Sequence, residues 1–215
     1  MSTAKGLLEQ KLPNAKPVGG FRCGGWMSND AVLRSLMSIE FAYDCSAVPP
    51  AVFSYGYDRK SQGSGKDTYG DKNGITPFIL ELWGYDAAKQ AYAANSLSLK
   101  WNIGNAILPT TQPYKIFEGS ASLIQMPNNA GLSDYSVAQF MTGCLADLQQ
   151  LALHHDEPLF LNIGCHQEGG SAYKNPLFKF FDANATVLQK AMANEEIVFT
   201  TVADAARVAD LYMVD

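Results

Sequence analysis

Three short runs hold the side chains of this chain best suited to chemistry. Phe21-Arg22-Cys23-Gly24-Gly25-Trp26 offers a guanidinium, two glycines and an indole. Tyr43-Asp44-Cys45-Ser46 offers a carboxylate and a hydroxyl, and Asn162-Ile163-Gly164-Cys165-His166-Gln167-Glu168 an imidazole and a second carboxylate. Residues two apart on a strand share a face, which puts Asp44 with Ser46, and Gly164 with His166 and Glu168. An arginine, a carboxylate, a hydroxyl and an imidazole are the parts of a hydrolytic site, and the glycines leave room for a ligand. The three histidines include no His-x-x-x-His pair.

For these residues to meet, the runs must end neighbouring parallel strands at their carboxyl edge, where the sites of parallel α/β folds form. The hydrophobic pattern predicts such strands. Val18 to Cys23 is a short β run. Ser28 or Asn29 then caps a helix through about Ser38, with Ala31, Val32, Leu36 and Ile39 near helical spacing and Asp30 in the first turn. Phe41 to Ser46 is the next strand, and the connection is long enough for a parallel βαβ unit. A further strand at Ala121 to Gln125 ends at Met126-Pro127. Val137 to Leu153 is an amphipathic helix with Phe140, Met141, Cys144, Leu145, Leu148 and Leu151 on one stripe. Pro158 to Gly164 reads as a strand covered on both faces, followed by a helix at Leu177 to Ala193, a strand at Ile197 to Thr200 and a helix at Val202 to Leu211. This alternation predicts an α/β fold with a largely parallel sheet or barrel, in a single domain over 1–215. Between the two regular regions, Tyr55 to Asn73 is polar and glycine-rich and reads as a long surface loop. Around Ile75 to Leu82 and Trp101 to Leu108 no clean period is found.

Composition narrows the function. With 47% hydrophobic and 17% charged residues over 215 positions, the chain can bury a real core. A net charge of −5 and no cluster of basic and aromatic residues exclude a nucleic-acid face. No apolar run approaches the ~18 residues that span a bilayer, and Met1 to Lys16 has no signal-peptide core, so a cytoplasmic location is expected. Cys23, Cys45, Cys144 and Cys165 have no CxxC spacing. Alternation predicts that Cys23, Cys45 and Cys165 face a helix layer if Arg22, Asp44 and His166 face a site. His154-His155-Asp156-Glu157 reads as a solvated helix end, because adjacent side chains diverge.

In order and spacing the runs resemble the polysaccharide deacetylase (NodB-homology) family. Phe21 to Trp26 is similar to its Arg-Gly motif, Asp44-Cys45-Ser46 to its Asp-x-Ser motif, and Leu161 to His166 to its late histidine strand. Val198 to Asp204 is similar to its closing strand–Thr–helix pattern, and Ile124 to Pro127 to a strand end of members acting on surface sugars. The resemblance implies an incomplete or distorted (β/α) barrel with largely parallel strands. It implies metal-dependent hydrolysis of an N-acetyl group on a carbohydrate. His166 would protonate the leaving amine, Arg22 would orient the catalytic aspartate, and Asp44 would support either of them. Trp26, Ser46, Glu168 and Gly24 are expected to contact substrate. A divalent metal such as zinc is implied, yet the family's Asp-Asp and His-x-x-x-His ligands precede its Arg motif. Residues 1–21 contain neither His nor Asp. His166 and Glu168 are the weak metal candidates that remain. The chain is therefore expected to be the C-terminal portion of such a domain, with a homo-oligomer or partner segment covering the open barrel edge. The alternative expectation is a catalytically inactive carbohydrate-binding or scaffold remnant.

Overall fold

The computed structural model describes residues 1–12, 14, 19–24, 28–47, 85–86, 91–92, 112–130, 138–165 and 176–213. The loop at 55–73, the segments 75–82 and 101–108, and Trp26, His166 and Glu168 lie outside them. In chain order the described elements are helix α1 (Ser2–Lys11), strand β1 (Gly20–Phe21), helix α2 (Asp30–Ser38) and strand β2 (Tyr43–Asp44). Strands β3 (Tyr85–Asp86), β4 (Ala91–Tyr92), β5 (Tyr114–Glu118) and β6 (Ala121–Gln125) follow, then helices α3 (Ala138–Ala152), α4 (Pro176–Ala193) and α5 (Val202–Tyr212).

The main sheet has the order β1-β2-β6-β5, and β3 pairs with β4 in a separate antiparallel ribbon. β1, β2 and β6 are parallel, with Phe21 opposite Asp44 and Asp44 opposite Gln125. The expected βαβ unit is thus present, and β6 has its expected bounds. β5 is antiparallel to β6 and joined to it by a turn in which Gly119 takes φ 60°, a conformation glycine adopts without strain. The sequence pattern did not single out β5, although a glycine-containing two-residue connection between short runs is a hairpin signal. The architecture is mixed α/β, and the described strands build an open, mostly parallel sheet rather than a closed barrel.

Side-chain alternation assigns the two faces. Ile124 and Met126 of the β6 run and Cys45 beyond β2 pack against Ala205, Ala206 and Ala209 of α5. The three alanines let that helix sit close to the sheet. Asp44 and Gln125 therefore point to the opposite face, where α2 lies on β6. The buried stripe of α2 is Leu33, Leu36 and Met37; of the expected Ala31, Val32, Leu36 and Ile39, Leu36 is buried, Val32 and Ile39 are half-buried and Ala31 is exposed. Each buried leucine contributes about 2 kcal/mol. Asn29 rather than Ser28 caps the helix, its side chain accepting from Val32 N at 3.0 Å. At the other end Glu40 takes φ 58°, and Lys5 Nζ of α1 donates to Ile39 O at 2.9 Å and Glu40 O at 3.1 Å. A cation there complements the helix dipole. Met141 and Leu145 of α3 pack with Phe180 and Leu188 of α4, and Cys144 is buried as its stripe predicts.

Two expected strands are absent from the ladder. The 158–164 segment is held beyond β6 largely by side-chain amides, with one backbone bond from Ala130 N to Asn162 O at 3.2 Å and a lone bridge at Gly164. Asn129 Nδ2 donates to Phe160 O and Asn162 N donates to Asn129 Oδ1, both at 2.8 Å. This is the pattern a residue of a neighbouring parallel strand would offer, with one amide bonding the C=O of one residue and the N–H two further on. Gln112 adds a second clasp, accepting from Phe160 N at 2.7 Å and donating to Phe160 O at 3.3 Å. Two amide side chains thus supply the partners that a full ladder would. Ile197 to Thr200 pairs with none of the described strands. Val198 and Phe199 are exposed there, with the Phe199 ring 6.0 Å from that of Phe181. No helix among the described residues is long and apolar enough to cross a membrane.

Candidate functional site

Because β1, β2 and β6 are parallel, their carboxyl ends share one edge. Arg22, Cys23 and Gly24 leave β1 there, Cys45 and Ser46 leave β2, and Met126 to Asn129 leave β6. Of the expected site residues, the fold brings Arg22, Gly24, Asp44 and Ser46 to this edge. The chain leading to His166 also reaches it, since Ala130 N donates to Asn162 O at 3.2 Å and Asn162 Nδ2 to Met126 O at 3.3 Å.

The best-defined feature is a hydrogen-bond chain that crosses from β1 to β2. Cys23 N donates to Ser46 Oγ at 2.8 Å, and Ser46 Oγ donates to Asp44 Oδ1 at 2.6 Å. Ser46 N donates to the other carboxylate oxygen, Oδ2, at 3.1 Å, closing an Asx-type turn. The turn displaces the ladder. Ile124 N donates to Ala42 O and Met126 N to Asp44 O, but Asn128 N donates to Ala47 O, one residue beyond the regular register. The Asp-x-Ser spacing thus produces a bulge that ends β2 and pins the exit of β1 from which Arg22 projects. Arg22 itself is exposed, while Asp44 and Ser46 are fully buried.

Burial pushes the Asp44 carboxyl above its ordinary range, against the opposing pull of the Ser46 hydroxyl, the nearby Gln125 amide and the Ser46 and Cys45 backbone. The Gln125 amide is near enough to favour the ionised form, yet no donor–acceptor pair of good geometry joins the two. Both polar atoms of Gln125 are buried without a well-formed hydrogen bond. Asn128 Oδ1 and Nδ2 and Ser28 Oγ are likewise buried without a hydrogen-bond partner. Each such group costs about 1–3 kcal/mol. Their concentration around one strand edge is the strongest site signal in the fold. Residue type alone did not flag them, although amides in the otherwise apolar run Leu123-Ile124-Gln125-Met126-Pro127-Asn128 are a usable sequence cue.

The cysteines divide by burial. Cys45 faces α5 as alternation requires, whereas Cys165 is exposed rather than buried against a helix layer as expected. Burial first, then the Asp44 charge, pushes the Cys45 thiol up to about 12, with Arg22 acting in the opposite direction. Burial and Asp147 push Cys144 up to about 12. All four are free thiols. His154 and His155 are exposed beyond α3, as a solvated helix end should be.

A resident divalent metal needs at least three protein ligands brought together. Among the described residues no three His, Cys, Asp or Glu side chains are grouped to hold one. Asp44 has an oxygen committed to each of the two Ser46 donors. The described residues therefore do not fit a metal, and the candidates His166 and Glu168 lie outside them.

No protein-family model matches this chain, no curated protein matches it, and no solved structure matches it.

Proposed function

We propose that this chain acts on N-acetylated carbohydrate as a deacetylase-type hydrolase, its open sheet being part of a (β/α) barrel of that type. The observation carrying this reading is the pinned exit of β1. A buried Asp44–Ser46 pair holds Cys23 N and so sets the position of Arg22 at the edge where β2 and β6 also end. In this reading Asp44 is a positioning residue. Sealed from solvent and engaged by Ser46, its carboxylate is not the base. Arg22, exposed at the edge, orients an anionic partner through a charge-assisted pair. Water adds to the acetyl carbon, the C–N bond breaks to give acetate, and His166 donates the proton to the departing amine, while Trp26, Gly24 and Glu168 contact the sugar. No step is routed through a metal.

The second reading is a catalytically silent carbohydrate-binding remnant of the same fold. The test measures acetate released from N-acetyl chitooligosaccharides with added zinc or cobalt, alongside metal bound per chain. The expected result is release that His166→Ala abolishes. Absence of release and of bound metal, with oligosaccharide binding intact, would overturn the enzyme reading and leave the binding one.

A further inference from the structure

Helix α1 is held differently from the other described helices. None of its residues is buried, and Leu7 and Leu8, with Leu12 just beyond its end, are each about half exposed. Its half-buried positions are Lys5 and Glu9, one turn apart. α1 therefore seats a polar edge on the protein and leaves its leucines in solvent, so apolar burial is not what holds it. A ten-residue helix is marginal in water by itself, and its order comes from its seat.

That seat is the C-terminal end of α2. Phe41 N donates to Leu36 O at 3.0 Å and Glu40 N to Met37 O at 3.1 Å, the paired bonds of a Schellman turn. Ser38 Oγ donates to Ser35 O at 2.8 Å. Glycine is the usual residue at the left-handed position that Glu40 occupies with φ 58°. These bonds leave the Ile39 and Glu40 carbonyls outside the helix, and Lys5 Nζ donates to both. The same ammonium lies 5.2 Å from the centroid of the Phe41 ring. One cation thus meets two carbonyls and an aromatic face.

We propose that α1 is a strap latched to the end of α2 by the Lys5 charge, and that it opens as a unit, without unfolding the sheet, when that charge is removed. Opening gives up little apolar contact, because the leucines are already in solvent. It breaks charge-assisted hydrogen bonds and uncovers Phe41, which is buried and packs edge-on against Phe21 at 5.8 Å. Segments held by so few buried contacts open locally, below the free energy of global unfolding. The latch lies at the opposite end of α2 from Asn29, and it stands whether or not the carbohydrate reading does.

Hydrogen exchange of the full chain tests this. In wild type the amides of Gly6 to Lys11 should exchange through openings almost insensitive to low urea, while those of α2 and β6 follow the urea dependence of global unfolding. Lys5→Met keeps an unbranched apolar stem and removes the charge. It should speed exchange of the α1 amides by on the order of tenfold or more and leave α2 and β6 unchanged. Lys5→Arg keeps the charge and should hold α1 within about threefold of wild type. Unchanged α1 exchange in Lys5→Met would overturn the latch. Exchange as fast in Lys5→Arg as in Lys5→Met would also overturn it, by assigning the seat to the shape of lysine rather than its charge. Joint acceleration of α1, α2 and β6, or failure of Lys5→Met to fold, would make α1 part of the cooperative core and end the proposal.

Discussion

Replacing Ser46 with alanine tests the hydrogen-bond chain that positions the β1 exit. The substitution removes the 2.6 Å hydroxyl bond to the buried Asp44 carboxylate and the acceptor for Cys23 N. A bond to a charged group is worth about 1.5–3 kcal/mol and a neutral one about 1 kcal/mol, so Ser46→Ala should cost about 2–4 kcal/mol near neutral pH. In a domain of this size that is a fall of roughly 5–15 °C in Tm. The cost must depend on pH. Burial raises the folded-state value of Asp44 above its unfolded one, so ionisation penalises the folded state. Its contribution therefore falls as pH rises from the ordinary carboxylate range to the raised value, and is flat above. Losing the hydroxyl raises that value further. The cost of Ser46→Ala is accordingly smallest below the ordinary range, grows through the window and levels off above the variant's raised value. Urea titrations at several pH values measure this, with Asp44→Asn as the background in which the pH dependence should vanish. A cost below about 0.5 kcal/mol, or one flat across pH, would refute the chain as the element pinning β1.

Gly20→Ala should destabilise by about 1–3 kcal/mol in denaturant melts, because an added Cβ would fall 2.3 Å from the Tyr43 ring, and Gly20→Ala with Tyr43→Leu should recover most of the loss. Asn129→Ala removes the amide that imitates a parallel strand, so it should cost about 2 kcal/mol and speed hydrogen exchange selectively at the Asn162 amide. Native-state alkylation near pH 8 should label exposed Cys165 first, and Cys45 and Cys144, both pushed up to about 12, only on unfolding.

Helices α2 to α5, β6 and the parallel β1–α2–β2 unit were legible in the sequence, because capping residues and 3.6-residue periodicity are local. So was the Asp-x-Ser pairing, since a two-residue spacing forces both groups to one face. Strand partnership was not legible. The apolar run 158–164 reads as a strand, but whether it joins a ladder depends on what lies beside it, and there the Asn129 and Gln112 side chains supply most of the bonds that a regular ladder would. Ile197 to Thr200 has strand composition and no described partner, for the same reason.

What the sequence alone determined is the set of chemical groups and the local turns that present them: an arginine after β1, a carboxylate and hydroxyl at the end of β2, and the cap that starts α2. What only the tertiary structure decided is their state. Register places Gln125 beside Asp44, packing of α2 and α5 covers the two faces of the sheet, and burial raises the carboxyl while leaving three side chains without partners. Burial and satisfaction are properties of neighbours distant in the chain, so no local pattern of residues encodes them.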